Sequence, residues 1–307
     1  MAEIIIIGGI NIDIEGAPFE QLKRKDSNPG LISTAYGGVG RNITENLARL
    51  GGDVALVSVI GEDRMGLAAV NELSQLGVDV SHVRQMNGRN SAMYMSILDE
   101  DRDMEIALCD MEIIKEINPD YIASIKEFLR QSDIVALDGN LEEDLIEQTV
   151  QILEGTPLFF DPVSASKAIR GKKHVGSFYS IKPNLIEAEV LSGITINGDE
   201  DIRRAGQWFI DKGVKQVFIT LNKDGVYYKN KYKEGFIRPK SNLKIISATG
   251  AGDCFSAVIL LGTVKKLDIE EIAKLAMAAS SIAVESRDAV NKEITLDEIM
   301  RRRKENV

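Results

Sequence analysis

Short apolar runs separated by longer segments of helical periodicity fill the second half of this chain, and no other feature narrows its choice of fold so far. Pro119–Arg130 predicts a helix, Ile134–Leu137 a strand, Leu141–Leu153 a helix and Leu158–Phe160 a strand, with further strands at Tyr179–Ile181 and Val217–Leu221. Strands separated by helices are joined by right-handed crossovers, which makes them members of a parallel sheet. Ile4–Ile7, a run of isoleucines ended by Gly8-Gly9, predicts a central strand covered on both faces. The expected fold is a three-layer α/β core around a mostly parallel sheet. No linker, internal repeat or low-complexity tract divides residues 1–307, so one domain is expected.

Open sheets of this kind bind ligands at the carboxyl ends of their strands. Asn11 and Asp13 follow the first strand, Asp138-Gly139-Asn140 follows a later one, and Asp161-Pro162 the next. Asn11, Asp13, Asn140, Asp161 and Lys167 are therefore site candidates, although turn chemistry or capping explains each of them equally well. Two glycine-rich stretches sharpen the picture. Gly37-Gly38-Val39-Gly40 precedes an amphipathic helix with Ile43, Leu47 and Leu50 on one face, and Asn42 in its first turn is aimed at the opening. Ser247-Ala248-Thr249-Gly250-Ala251-Gly252-Asp253 precedes the apolar run Cys254–Val264, which reads as a buried helix. Glycines there leave a bare helix N-terminus, whose unpaired N-H groups and positive dipole end suit a phosphate. Asp253 at that end is either a helix cap or a general base beside an anion hole.

Composition excludes several classes. A net charge of -10 argues against a nucleic-acid surface, which needs clustered Lys and Arg. The basic run Arg301-Arg302-Arg303-Lys304 reads as a solvated helix end. Two cysteines, Cys109 and Cys254, are too few for a disulfide framework, which fits a reduced, cytoplasmic setting. No apolar run approaches the ~20 residues needed to span a bilayer. Ser91–Leu98, an acidic turn and Met104–Leu108 predict a hairpin, whereas residues 14–36 show little helical periodicity.

Thr249–Asp253 late in the chain and Gly37–Asn42 early in it, with Lys182-Pro183-Asn184-Leu185-Ile186-Glu187 between them, resemble the signatures of the ribokinase (PfkB-type) family of carbohydrate and nucleoside kinases. The resemblance covers nearly the whole chain. Within the family it is similar to the branch acting on a C-linked nucleoside, through Asp26–Gly30, Cys109-Asp110-Met111, Asp138-Gly139-Asn140 and Asp161–Ser164.

That resemblance implies transfer of a phosphoryl group from ATP to the 5'-hydroxyl of a ribosyl substrate. It assigns Asp253 as the base and the N-H groups of Gly250, Ala251 and Gly252 as the anion hole. It places Asn11, Asp13, Gly37, Gly38 and Asn42 on the sugar, and Ser27, Asp110, Asn140 and Lys167 elsewhere around the substrate. Thr220, Asn222, Gly225, Thr249, Gly252, Asn184 and Asn291 fall to the nucleotide, and Asn184 with Glu187 to the hydration shell of Mg2+. It also implies a β lid built from insertions at about 14–36 and 91–110, pairing of lids in a homodimer, and K+ or another monovalent cation near the Ser247 loop. The chain departs from the family at Asn222, where relatives usually carry glycine, and at Ser247, where many carry Asp. Alternatives are a kinase for another nucleoside or for a sugar such as ribose, and a non-catalytic nucleoside-binding sensor. Retention of Asp253 with its whole glycine loop favours an enzyme, since a sensor has no need of a base.

Overall fold

A computed structural model describes residues 2–239 and 245–306. Thirteen strands occur among them: β1 (Ile4–Ile7), β2 (Asn11–Pro18), β3 (Gly30–Gly37), β4 (Val54–Gly61), β5 (Val83–Met86), β6 (Ala92–Leu98), β7 (Met104–Asp110), β8 (Ile134–Asp138), β9 (Leu158–Asp161), β10 (Ser180–Ile181), β11 (Gln216–Thr220), β12 (Val226–Asn230) and β13 (Glu234–Ile237). Nine of them form one sheet in the order β13-β12-β11-β10-β9-β8-β1-β4-β5. From β11 to β5 every pairing is parallel, and only β12 and β13 join antiparallel, at one edge. This is the α/β fold expected from the alternation of elements.

β1 lies at the centre, with Ile4 opposite both Val54 and Ile134. Because side chains alternate along a strand, Ile4 and Ile6 enter one buried cluster and Ile5 and Ile7 the other. The first cluster includes Ile43 and Leu47 of the helix Val39–Arg49 and the apolar face of the helices Ala251–Val264 and Ile269–Ala283. The second includes Leu145 and Ile146 of the helix Glu143–Ile152 and Ala205 and Phe209 of the helix Asp199–Lys212. Helices therefore cover both faces, which is why the central strands are apolar throughout rather than alternating.

β2, β3, β6 and β7 form a separate sheet in the order β3-β2-β6-β7. The stretch 14–36, irregular by its sequence, supplies much of an antiparallel pair running from Asn11 opposite Gly37 to Pro18 opposite Gly30. The expected hairpin is present as β6 and β7. Leu31, Ile32, Met104, Ile106 and Leu108 of this sheet are exposed.

Several boundaries differ from the sequence expectation. Pro119–Arg130 is two short helices, Pro119–Ser124 and Lys126–Leu129, because Ile125 between them leaves helical geometry (φ -111°, ψ 14°). The helix from Ile269 stops at Ala283, and the Val284 carbonyl just beyond it accepts the N-H groups of Ile246 and Ser247. The late glycine helix begins at Ala251, so Asp253 falls in its first turn. The basic run near the C-terminus is not simply solvated: Arg302 pairs with Glu285 at 2.8 Å and Arg303 with Glu271 at 2.5 Å.

Candidate active site

The strand order reverses at β1, because the chain leaves β1 for β4 on one side and returns as β8 on the other. A crevice opens at such a switch point beyond the carboxyl ends of the strands. Gly8 follows β1 there, and the Asp138 carboxylate at the end of β8 lies 2.6 Å from where a Cβ on Gly8 would stand. Gly38 caps the helix Val39–Arg49 at φ +102°, and a Cβ on it would meet the Gly9 carbonyl at 2.3 Å. Only glycine fits that turn. The Gly37 position makes room for Asp13, whose Oδ2 lies 2.2 Å from the missing Cβ, while Asn11 Nδ2 donates to Asp13 Oδ1 at 2.6 Å. Burial raises the pKa of Asp13, opposed by Asn11 and the charge of Arg41. The early glycines thus serve tight packing and, in the same stroke, seat the Asn11–Asp13 pair at the crevice.

The second wall is the N-terminus of the helix Ala251–Val264. Gly250 is its N-cap at φ +78°, and among the described residues no side-chain cap is found. A Cβ on Gly250 would lie 1.7 Å from the Ala289 carbonyl, so backbone packing requires the glycine before any ligand is considered. Gly252 is exposed, and the nearest atom to its open side is Lys182 Nζ, 3.5 Å from where a Cβ would stand.

Asp253 is half-buried between these walls. Its Oδ2 accepts a hydrogen bond from Asn42 Nδ2 at 2.9 Å, so the sequence-predicted amide does reach the proposed base. Lys182, buried after β10, stands 3.2 Å from Asp161 Oδ2, which also accepts from Ser256 Oγ at 2.7 Å. Asp161 Oδ1 accepts from the Val163 N-H at 3.1 Å. Val163 itself has φ +67°, a strained setting for a β-branched residue and one that recurs beside functional groups. Burial and the nearby charge of Asp161 push the Asp253 carboxyl up to about 7, against the Asn42 hydrogen bond and Lys182. Asp138 is pushed up to about 6 by burial, and its Oδ2 has no hydrogen-bond partner among the described residues. Burial disfavours the Lys182 charge, but Asp161 and Glu187 outweigh it and raise its pKa. A carboxylate with a near-neutral pKa beside a bare helix N-terminus can take a proton from a hydroxyl while the backbone N-H groups hold a phosphate.

Other predicted residues divide. Asn140 and Lys167 come together, with Lys167 Nζ donating to Asn140 Oδ1 at 2.6 Å. Asn184 and Glu187 form a reciprocal capping box on the helix Leu185–Ser192, and Glu187 uses Oε2 on the Asn184 N-H and Oε1 on its amide, both at 2.8 Å. Thr220 bridges to Asn184, since its N-H donates to the Pro183 carbonyl. Asn222 adopts φ +53°, the left-handed region that glycine favours and asparagine tolerates. Gly225 sits at φ +107° facing the Ile237 carbonyl, a requirement of the turn between β11 and β12. Asn291 holds its own loop, donating to the Ile282 carbonyl and accepting from the Glu293 N-H. Thr249 is exposed, with its N-H on Ser247 Oγ. Ser27 and Asp110 are exposed on the small sheet's loops and strand ends, with local hydrogen bonds to Asp26 and Glu112. Sequence reasoning passes over Lys182 and Ser256; a lysine opening a strand-to-helix turn was the available sign for the first, and a serine inside an apolar helix gave none.

Both walls belong to a known architecture. A model of the pfkB family of carbohydrate kinases matches residues 1–296, and the chain belongs to that family. It is a carbohydrate or nucleoside kinase. It is 33% identical to the pseudouridine kinase of Escherichia coli (strain K12) over 297 residues, covering 97% of this chain and 95% of that protein. The crystal structure of a Clostridium perfringens protein classed as a sugar kinase matches with a TM-score of 0.93 at 30% identity, covering 100% of this chain and 97% of that one. An Arabidopsis thaliana ribokinase complexed with ribose and ATP matches with a TM-score of 0.82 at 22% identity, covering 99% of each chain, a likeness of fold.

Proposed function

We propose that this kinase transfers the γ-phosphoryl group of ATP to the 5'-hydroxyl of pseudouridine. The observation on which the reading rests is Asp253, a carboxyl near neutrality in the first turn of an uncapped helix, hydrogen-bonded to Asn42. The residues fit a nucleotide: Gly252 is exposed at the helix end, with Lys182 as a cation beside it. ATP, when bound, supplies the electrophilic phosphorus. Asp253 then accepts the hydroxyl proton, and the N-H groups of Gly250, Ala251 and Gly252 hold the charge on the transferring group. Asn11, Asp13, Gly38 and Asn42 orient the ribose, and Lys182 offsets charge beside Gly252. Both Glu187 oxygens already accept hydrogen bonds, so Asn184 and Glu187 suit Mg2+ through its water shell rather than by direct ligation.

Pseudouridine is supported by the identity to its kinase and by polar side chains on the small sheet. Its C-glycosidic link leaves a ring N-H where uridine has a carbon, and an acceptor such as Ser27 or Asp110 can read it. A site that hydrogen-bonds a substrate N-H rejects an analogue lacking it by up to about 10⁴–10⁵-fold. The test compares kcat/KM for pseudouridine, uridine, ribose and fructose, in the wild type and in Ser27→Ala and Asp110→Ala. Pseudouridine is expected first, with its lead reduced in the variants. Uridine or ribose ahead of it would overturn the substrate and leave the kinase. In this reading the small sheet is the lid over the site, and its exposed Leu31, Ile32, Met104, Ile106 and Leu108 pair with the lid of a second copy. Sedimentation of a monomer at all concentrations would exclude that pairing.

A further inference from the structure

We infer that Arg41 is a positioning residue: its guanidinium locks the Asn42 side-chain amide in the one orientation that presents an N-H donor to Asp253. The inference rests on the reading of Asp253 as the base.

Arg41 is 4% exposed, and its buried charge is offset by a carboxylate within reach, although its Nε has no hydrogen-bond partner among the described residues. Its Nη2 lies 2.5 Å from Oε2 of the equally buried Glu45, which Arg49 holds from the other side at 2.7 Å. Nη1 donates to the Tyr36 carbonyl at the end of β3 at 3.1 Å and to Asn42 Oδ1 at 3.2 Å. The guanidinium is thus fixed on two elements before it touches Asn42. Asn42 is gripped at both ends of its amide, with Oδ1 toward Arg41 and Nδ2 toward Asp253.

An amide can turn by half a rotation at little intrinsic cost, because its oxygen and nitrogen have nearly the same shape. Here the turned form would set NH2 against the guanidinium N-H and oxygen against the carboxylate. While Asp253 is ionised it disfavours that form by itself. Once it has taken a proton it can donate to an amide oxygen equally well, and only Arg41 still distinguishes the two orientations. Arg41 therefore makes the donor permanent, so that Asn42 favours the ionised base at every stage and opposes the burial that raises the Asp253 pKa. The other charged groups facing Asp253 come from different elements: Lys182 after β10, Asp161 at the end of β9 and Asp138 at the end of β8. Among the described residues none of them hydrogen-bonds Asn42, so none substitutes for Arg41.

The test titrates nucleotide-free protein carrying 13C at the Asp carboxyl carbons, with the Asp253 signal identified by its loss in Asp253→Asn. Wild type is compared with Arg41→Met, with Arg41→Met/Glu45→Leu, which removes both buried charges together and so protects folding, and with Leu47→Ala as a destabilised control in the same helix. The Asp253 midpoint is expected to rise by about half to one pH unit in both Arg41 variants, the scale of the one hydrogen bond between neutral groups that the protonated form gains. The acid limb of kcat should rise with it, and Leu47→Ala should lower Tm without moving either. An unmoved midpoint in the Arg41 variants, or an equal rise in Leu47→Ala, would overturn the inference. Since the titration needs no turnover, inactivity of the wild type toward every substrate would count against the proposed function alone.

Discussion

The amide nitrogen of Asn42 lies 2.9 Å from Asp253 Oδ2, which joins the first turns of two helices that are 211 positions apart in the chain. Both turns follow glycines at positive φ, Gly38 and Gly250, and both are free of side-chain caps. The same backbone device is used twice, on opposite walls of one crevice. Three predictions rest on the charges held between them, and a fourth on the turn between β11 and β12.

Asp253→Asn keeps the shape of the side chain and removes its proton acceptor. Turnover should fall by about two to four powers of ten, the usual range for general-base help. Nucleotide affinity, followed by calorimetry, should change little. A rate within threefold of wild type would remove Asp253 from the reaction.

The same variant should change how stability depends on pH. The Asp253 carboxyl sits at about 7 in the folded protein, above its ordinary 3.8, so the folded state holds the proton more tightly than the unfolded chain. The resulting stabilisation is complete below the unfolded value and is lost as pH rises through the folded one. Asparagine cannot ionise and loses nothing. Tm of Asp253→Asn minus Tm of wild type should therefore grow between about pH 4 and about pH 7 and level off above that. A constant difference across that window would contradict the raised carboxyl.

Lys182→Met strands Asp161, which is 4% exposed and 3.2 Å from the ammonium. Removing one partner of a buried pair costs about 3–5 kcal/mol. Hydrogen bonds from Ser256 and Val163 to Asp161 place this case at the lower end of that range. Adding Asp161→Asn should restore more than half of the loss in urea unfolding. The acid limb of kcat should also move upward, because Lys182 favours the ionised form of Asp253. Full stability in the single variant would show that the pair is not formed.

Asn222 at φ +53° makes an asymmetric prediction for the turn between β11 and β12. Asn222→Gly should leave stability within about 0.5 kcal/mol, because glycine's relief of strain and its greater unfolded freedom oppose each other. Asn222→Val should cost about 1–2 kcal/mol, since a β-branched side chain resists the left-handed region. Urea midpoints of the three proteins decide it. Equal values for Val and Gly would mean that the turn is not left-handed.

Much of the architecture was legible because its causes are local. The apolar runs at Ile4–Ile7, Ile134–Leu137 and Leu158–Phe160 mark strands that must be covered on both faces, and all three lie in the parallel sheet. The glycines before Val39 and Ala251 announce backbone turns that side chains forbid, whichever ligand is present. Their roles were less legible: Gly250 answers to the Ala289 carbonyl and Gly225 to the Ile237 carbonyl, contacts made with segments 39 and 12 positions away in the chain.

The sequence by itself determined the layered α/β fold and two helix starts with an acid at one of them, because strand burial and glycine conformations are properties of a few neighbouring residues. Only the tertiary structure decided the chemistry of that acid. Asp253 is raised by burial and by Asp161, restrained by Lys182 and Asn42, and these partners arrive from separate elements of the fold. Electrostatic interaction depends on distance through the folded protein and on the water excluded along the way, and neither quantity is written in the order of the residues.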